Sequence, residues 1–113
     1  MSVPRYVYET RKVGDALDPY QHQVLQLNAS VWVGRDISAM TGYRFIMKTR
    51  QGATVIDEAC TLPDAVNGWM QYQLTAGDIA ALSAGHFLIE WTGTIAGVPY
   101  VSPTIHQELE ARI

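Results

Sequence analysis

Apolar and polar side chains alternate at every second position through most of this chain, and glycine or proline breaks the alternation about every dozen residues. A period of two sends successive side chains to opposite faces of a strand, so the pattern selects half-buried sheet over helix. The clearest stretch runs from Trp69 to Leu74, behind the turn pair Asn67-Gly68, whose residues tolerate positive φ. Met70, Tyr72 and Leu74 take one face; Trp69, Gln71 and Gln73 take the other. Thr75-Ala76-Gly77-Asp78 then opens a short helical crossing over about residues 75–83. Thr75 is placed to cap it, with Asp78 completing a capping box, and Gly85 supplies a positive φ at the exit. The strand from His86 to Thr94 follows, with Phe87, Ile89 and Trp91 on one parity, the expected core side.

The same reading extends along the chain. Val3 to Val13 reads as a first strand or an extended arm, and residues 14–19 as a loop, since Asp18-Pro19 favours turn initiation. Gln23 to Val33 reads as one strand, turned by Gly34-Arg35-Asp36. Residues 37–41 are open between a helical turn and a loop. Gly42 to Arg50 is a strand with Tyr43, Phe45 and Met47 opposite Arg44, Ile46 and Lys48. Gln51-Gly52 turns into a strand over residues 53–60, whose register is ambiguous because Val55 and Ile56 face opposite ways. Pro63-Asp64 and Asn67-Gly68 bracket a loop, and Gly93 and Gly97 flank a hairpin turn. Val98 to Leu109 closes the chain as a strand interrupted by Pro99 and Pro103, hence an edge strand or a bulged one. The expected architecture is all-β: an immunoglobulin-like β-sandwich of seven to eight strands, forming one domain over residues 1–113 with an N-terminal arm over about residues 1–12.

Composition narrows the function. A chain of 113 residues buries roughly two-thirds of its unfolded surface and needs no metal or disulfide to fold. Its formal net charge of −3 and its scattered basic residues argue against a phosphate-binding face, so no nucleic acid is expected. No apolar run approaches the roughly 20 residues of a membrane-spanning helix, and Met1 to Tyr6 lacks a signal-peptide core. No membrane association is expected. Cys60, the single cysteine, makes no internal disulfide, which fits folding in a reducing cytoplasm. It reads as a small core residue.

Catalytic patterns are missing from the sequence. His22, His86 and His106 lie far apart, without the short spacing that marks a metal site, and His22 reads as a solvated residue of a polar loop. Asp57 and Glu58 face opposite sides of their strand; Glu108 and Glu110 share a face near the terminus and read as solvated. Gly93 and Gly97 sit in a strand-to-strand turn, which is not a phosphate loop. Neither an enzyme, a cofactor nor a metal is expected.

Several of these segments, taken in order, resemble one family. Gly14-Asp15, the strand Tyr43-Arg44-Phe45-Ile46-Met47-Lys48, the hairpin Gly52-Ala53-Thr54-Val55-Ile56-Asp57, then Asn67-Gly68, Tyr72, Thr75-Ala76-Gly77-Asp78, Gly85, Phe87, Glu90-Trp91 and Tyr100-Val101-Ser102-Pro103 are similar to the N-terminal domain of the phage baseplate upper protein. The resemblance spans roughly Val13 to the C-terminus. Where that family carries an Asp-Leu-Thr-Gly turn, this chain has Asp36-Ile37-Ser38-Ala39-Met40-Thr41-Gly42. The resemblance implies a small β-sandwich module of a tailed-phage virion, in its tail, baseplate or neck. Its partners would be other virion structural proteins and copies of itself.

A binding role also follows from the aromatic residues. Trp32, Trp69, Tyr100 and the Tyr6/Tyr8 pair exceed what a small core requires. With Tyr72 in the core, Trp69 faces outward beside Gln71 and Gln73, where it could fill a partner's pocket or stack on a sugar. The arm supplies Arg5, Tyr6, Tyr8 and Arg11, residue types favoured at interfaces. The candidate interface is therefore Arg5, Tyr6, Tyr8, Arg11, Trp69, Gln71 and Gln73, with residues 105–113 as a second candidate. Two rival readings share this fold: a capsid decoration protein, and a module that binds a host-surface glycan through Trp69 or the loop around Trp32.

Overall fold

A computed structural model describes residues 11–12 and 19–110. The chain is all-β and sandwich-like, with one short helix. Its strands are β1 (Arg11–Lys12), β2 (Tyr20–Gln23), β3 (Leu25–Asn28), β4 (Val31–Gly34), β5 (Met40–Thr49), β6 (Thr54–Ala59) and β7 (Thr61–Asp64). After a 3-10 turn (Ala65–Asn67) come β8 (Trp69–Tyr72), helix α1 (Ala76–Ala81), β9 (Gly85–Ile95), β10 (Val98–Val101) and β11 (Ile105–Glu110). The larger sheet runs β1-β11-β9-β5-β6, with β10 also paired to β9; the smaller runs β2-β8-β7. Among the described residues, strands β3 and β4 pair only with each other.

The two sheets meet through aromatic side chains. Phe45 of β5 lies against Tyr20 and Tyr72 of the small sheet, with ring centroids 5.3 and 4.6 Å apart, and against Trp91 of β9 at 4.9 Å. Tilted pairs at such separations contribute about 0.5–1.5 kcal/mol each beyond the area they bury. Met47, Ile56, Met70, Ile89 and Ile105 fill the space around them, all buried. The alternation read in the sequence carries this arrangement: Met70, Tyr72 and Leu74 are buried, and so are Phe87, Ile89 and Trp91.

Helix α1 carries the chain from the small sheet to the large one. Thr75 caps it: Asp78 N–H donates to Thr75 Oγ1 at 3.1 Å, and Thr75 N–H donates to Asp78 Oδ2 at 2.9 Å. The same Oδ2 accepts a hydrogen bond from the Tyr72 hydroxyl, tying cap to core. Burial first, and that bond second, push the Tyr72 phenol above its ordinary range. The helix ends at Leu82 in an extended conformation, and the positive φ (149°) expected at its exit falls instead on Gly85, the first residue of β9.

Three segments are finer than the alternation suggests. The stretch from Gln23 to Val33 is not one strand: the chain doubles back at Ala29 (φ 49°) and Ser30 (φ 67°), forming the β3–β4 hairpin. Neither residue is the asparagine or glycine that normally marks such a turn, so the signal is hidden. The segment around Pro63 is an edge strand, β7, where a missing N–H donor is tolerated. The last strand is broken into β10 and β11, both lying along β9. Ser102 spans the break: its N–H donates to Trp91 O at 2.9 Å, and its Oγ accepts from Trp91 N–H at 2.9 Å. It thus supplies ladder bonds that Pro103 cannot.

Candidate interaction surfaces

The outward residues of the small sheet build a glutamine-rich face around one tryptophan. Antiparallel pairing sets Gln21 opposite Gln71 and Gln23 opposite Trp69, and directly paired residues share a face. Gln21 Nε2 donates to Gln71 Oε1 at 2.9 Å, Gln23 Nε2 donates to Asn67 O at 3.0 Å, and Thr61 Oγ1 donates to Gln71 O at 3.2 Å. Trp69 and Gln71 are half-buried and Gln73 is exposed. Pairing along β8 thus brings Trp69 and Gln71 to one side, while Gln73 lies just past the end of the strand. The same pairing half-buries the indole, which stands between Gln23 and Asp64 in the ladder.

The candidate residues of the arm divide. Arg5, Tyr6 and Tyr8 lie outside the described residues. Arg11 belongs to β1, which pairs in parallel with the chain's own β11, Arg11 opposite Leu109 and Lys12 opposite Glu110. The end of the arm is thus a strand of the chain's own sheet.

The surface that sequence reasoning missed is the β3–β4 hairpin. Cross-strand pairing puts Leu27 opposite Trp32 and Asn28 opposite Val31. Leu25, Leu27 and Trp32 therefore share one face, and Val31 and Val33 the other. Leu27 is 56% exposed and Val31 57%. A two-stranded ribbon with apolar groups on both faces is at best marginal by itself. Here its base is clamped: Val24 N–H donates to Gly68 O and Arg35 N–H to Val24 O, both at 2.8 Å. Gly34 lies so close to Asn67 that a Cβ would sit 2.2 Å from its carbonyl oxygen. Gly68, at φ 86°, leaves a Cβ only 2.5 Å from Val24 O. The Asn67-Gly68 turn thus anchors the hairpin as well as starting β8.

His22 corrects the solvated-loop expectation. It is on β2, only 2% exposed, with its ring stacked on Trp91 at 5.9 Å and its Nε2 2.7 Å from the Tyr100 hydroxyl. Burial lowers its pKa from 6.5 to about 4, so the ring is neutral at physiological pH. Its even parity with Tyr20, both facing Met70 and Tyr72 across the ladder, is the signal that could have placed it. Tyr100 is partly buried and packs against this core. Cys60 is buried as expected, and burial pushes its thiol up to about 11, which keeps it protonated and poorly nucleophilic.

The outer face of the large sheet is polar. Arg44 Nε donates to Asp57 Oδ1 at 2.6 Å, and Lys48 Nζ lies 3.4 Å from Glu90 Oε1. Both pairs face solvent, which screens them and leaves them little weight in stability. On the same face, His86 of β9 and His106 of β11 come together although 20 residues separate them. Among the described residues no group of three or more His, Cys, Asp or Glu converges on one point, and no helix is long and apolar enough to cross a membrane. The fold and its surfaces define an all-β, sandwich-like chain with a two-stranded ribbon that exposes Leu27 and Val31. Compared with protein-family models and with curated proteins, the chain matches none.

Proposed function

We propose that this chain is a non-enzymatic structural subunit of a tailed-phage virion, working at the tail, baseplate or neck through protein–protein contacts. The observation that carries the assembly part is the β3–β4 hairpin. It holds Leu27 and Val31 more than half exposed on opposite faces, on a ribbon fixed at its base by Gly34 and Gly68. Apolar groups on both faces of an isolated ribbon gain most when a neighbouring chain covers them. The half-buried Trp69, with Gln71 and Gln73, is a second contact surface on the small sheet. Ring symmetry multiplies such small contacts into a stable joint. The virion setting rests on the resemblance of the segments from Gly14 to Pro103 to the baseplate upper protein domain.

Quantitative mass spectrometry of purified particles of the encoding virus tests this reading. A few copies, in a multiple of three or six, is the expected result. Hundreds of copies would move the chain to the capsid surface, and absence from the particle would overturn the virion reading.

A further inference from the structure

We propose that His86 and His106 form a two-histidine binding site for a divalent transition-metal ion of the nickel–copper–zinc class, on the outer face of the large sheet. His86 Nε2 and His106 Nδ1 lie 2.9 Å apart, with ring centroids at 5.1 Å. The pairing of β9 with β11 sets this distance: His106 is opposite Leu88 and Glu108 is opposite His86, so the two imidazoles are diagonal neighbours on one face. Two nitrogens at this separation are spanned by an ion about 2.0–2.1 Å from each. The angle at the ion is then about 90°, that of adjacent positions in a square-planar or octahedral sphere, which suits Cu²⁺ and Ni²⁺. A tetrahedral Zn²⁺ needs the nitrogens roughly 0.4 Å farther apart, a shift open to His106 because it is exposed.

The chemistry of the pair agrees. Without a metal the two nitrogens share one proton, one ring donating and the other accepting. On binding, the donor ring loses the proton of its facing nitrogen and carries one on its far nitrogen, and the rings turn so that both facing lone pairs converge on the ion. Glu108 is exposed and is the cross-strand partner of His86 in the ladder. The remaining coordination positions go to water. Strand order alone makes the site, which explains why a search for short ligand spacing in the sequence passes over it.

Isothermal titration of the full chain with NiCl₂, and with MgCl₂ as a hard-cation control, tests the proposal. One Ni²⁺ is expected to bind saturably, with no saturable Mg²⁺ binding, and His106→Ala is expected to abolish the Ni²⁺ isotherm. His86→Gln should do the same. Should that half-buried position disturb folding, His106→Ala decides alone. With ZnCl₂, the imidazole NMR signals of His86 and His106 should move while that of the buried His22 stays fixed. No saturable Ni²⁺ binding, or binding unchanged in His106→Ala, would overturn the site.

Discussion

Phe45, Tyr72 and Trp91 between the sheets and Leu27, Val31 and Trp32 on the hairpin are the same kinds of residue in two opposite situations. The first three are buried, with Phe45 packed on Tyr72 across the sandwich and on Trp91 beside it in the large sheet. Of the second three, Leu27 and Val31 are mostly in solvent. The backbone differs in the same sense. The sandwich strands β5 and β9 pair over most of their length, whereas the hairpin turns on two non-glycine residues with positive φ. The left-handed conformation costs such residues on the order of 1 kcal/mol each. Stability is therefore concentrated between the sheets, and apolar surface is left over on a ribbon that adds little to it.

This contrast predicts a graded series of effects. Trp91→Ala should cost about 3–5 kcal/mol in urea unfolding, since it opens a cavity where both sheets meet. A loss under 1 kcal/mol would mean that the seam does not hold the sandwich. Next comes acid. His22 has a folded pKa of about 4 against 6.5 for the free ring, so between those values the unfolded chain binds more protons and stability falls as pH falls. The neutral ring's advantage is complete above pH 6.5 and lost in full below about pH 4, on the order of 3 kcal/mol in all. His22→Phe should remove that part of the pH dependence, read as the difference between wild-type and variant unfolding curves.

The clamp between the two regions should be felt less. Gly68→Ala combines a positive φ with contact against Val24 O and Arg35 O, and should cost about 1–3 kcal/mol in urea unfolding. Replacing Ala29-Ser30 by Asn-Gly should gain at most about 1 kcal/mol in the same assay, because those residues suit a turn with two positive φ values. Smallest of all, Leu27→Asp with Val31→Asp should change monomer stability by no more than about 0.5 kcal/mol, as expected for surface substitutions. A larger loss would show that the hairpin belongs to the core.

Much of the fold was legible because alternation is local. Met70, Tyr72 and Leu74, the Thr75–Asp78 cap and the Phe87–Ile89–Trp91 face all follow from residues within a few positions of one another. The β3–β4 hairpin was illegible for a physical reason. Leu25, Leu27, Ala29, Val31 and Val33 keep one parity straight through the turn, and Ala29-Ser30 carries no turn signature. The His86–His106 pair and the burial of His22 depend on which strands become neighbours, information that no window of sequence contains. The common face of Trp69 and Gln71 was legible from the parity of β8, which ends before Gln73. The half-burial of the Trp69 indole depends on β2 and β7 beside it.

We propose that the hairpin joins this chain to its neighbours in a virion. The most direct test is to grow the encoding virus with Leu27→Asp/Val31→Asp in place of the wild-type chain and to count copies in purified particles. The wild-type chain is expected in a small, symmetric number of copies, and the folded variant is expected to be lost from the particle. Incorporation of the variant at the wild-type copy number would contradict it.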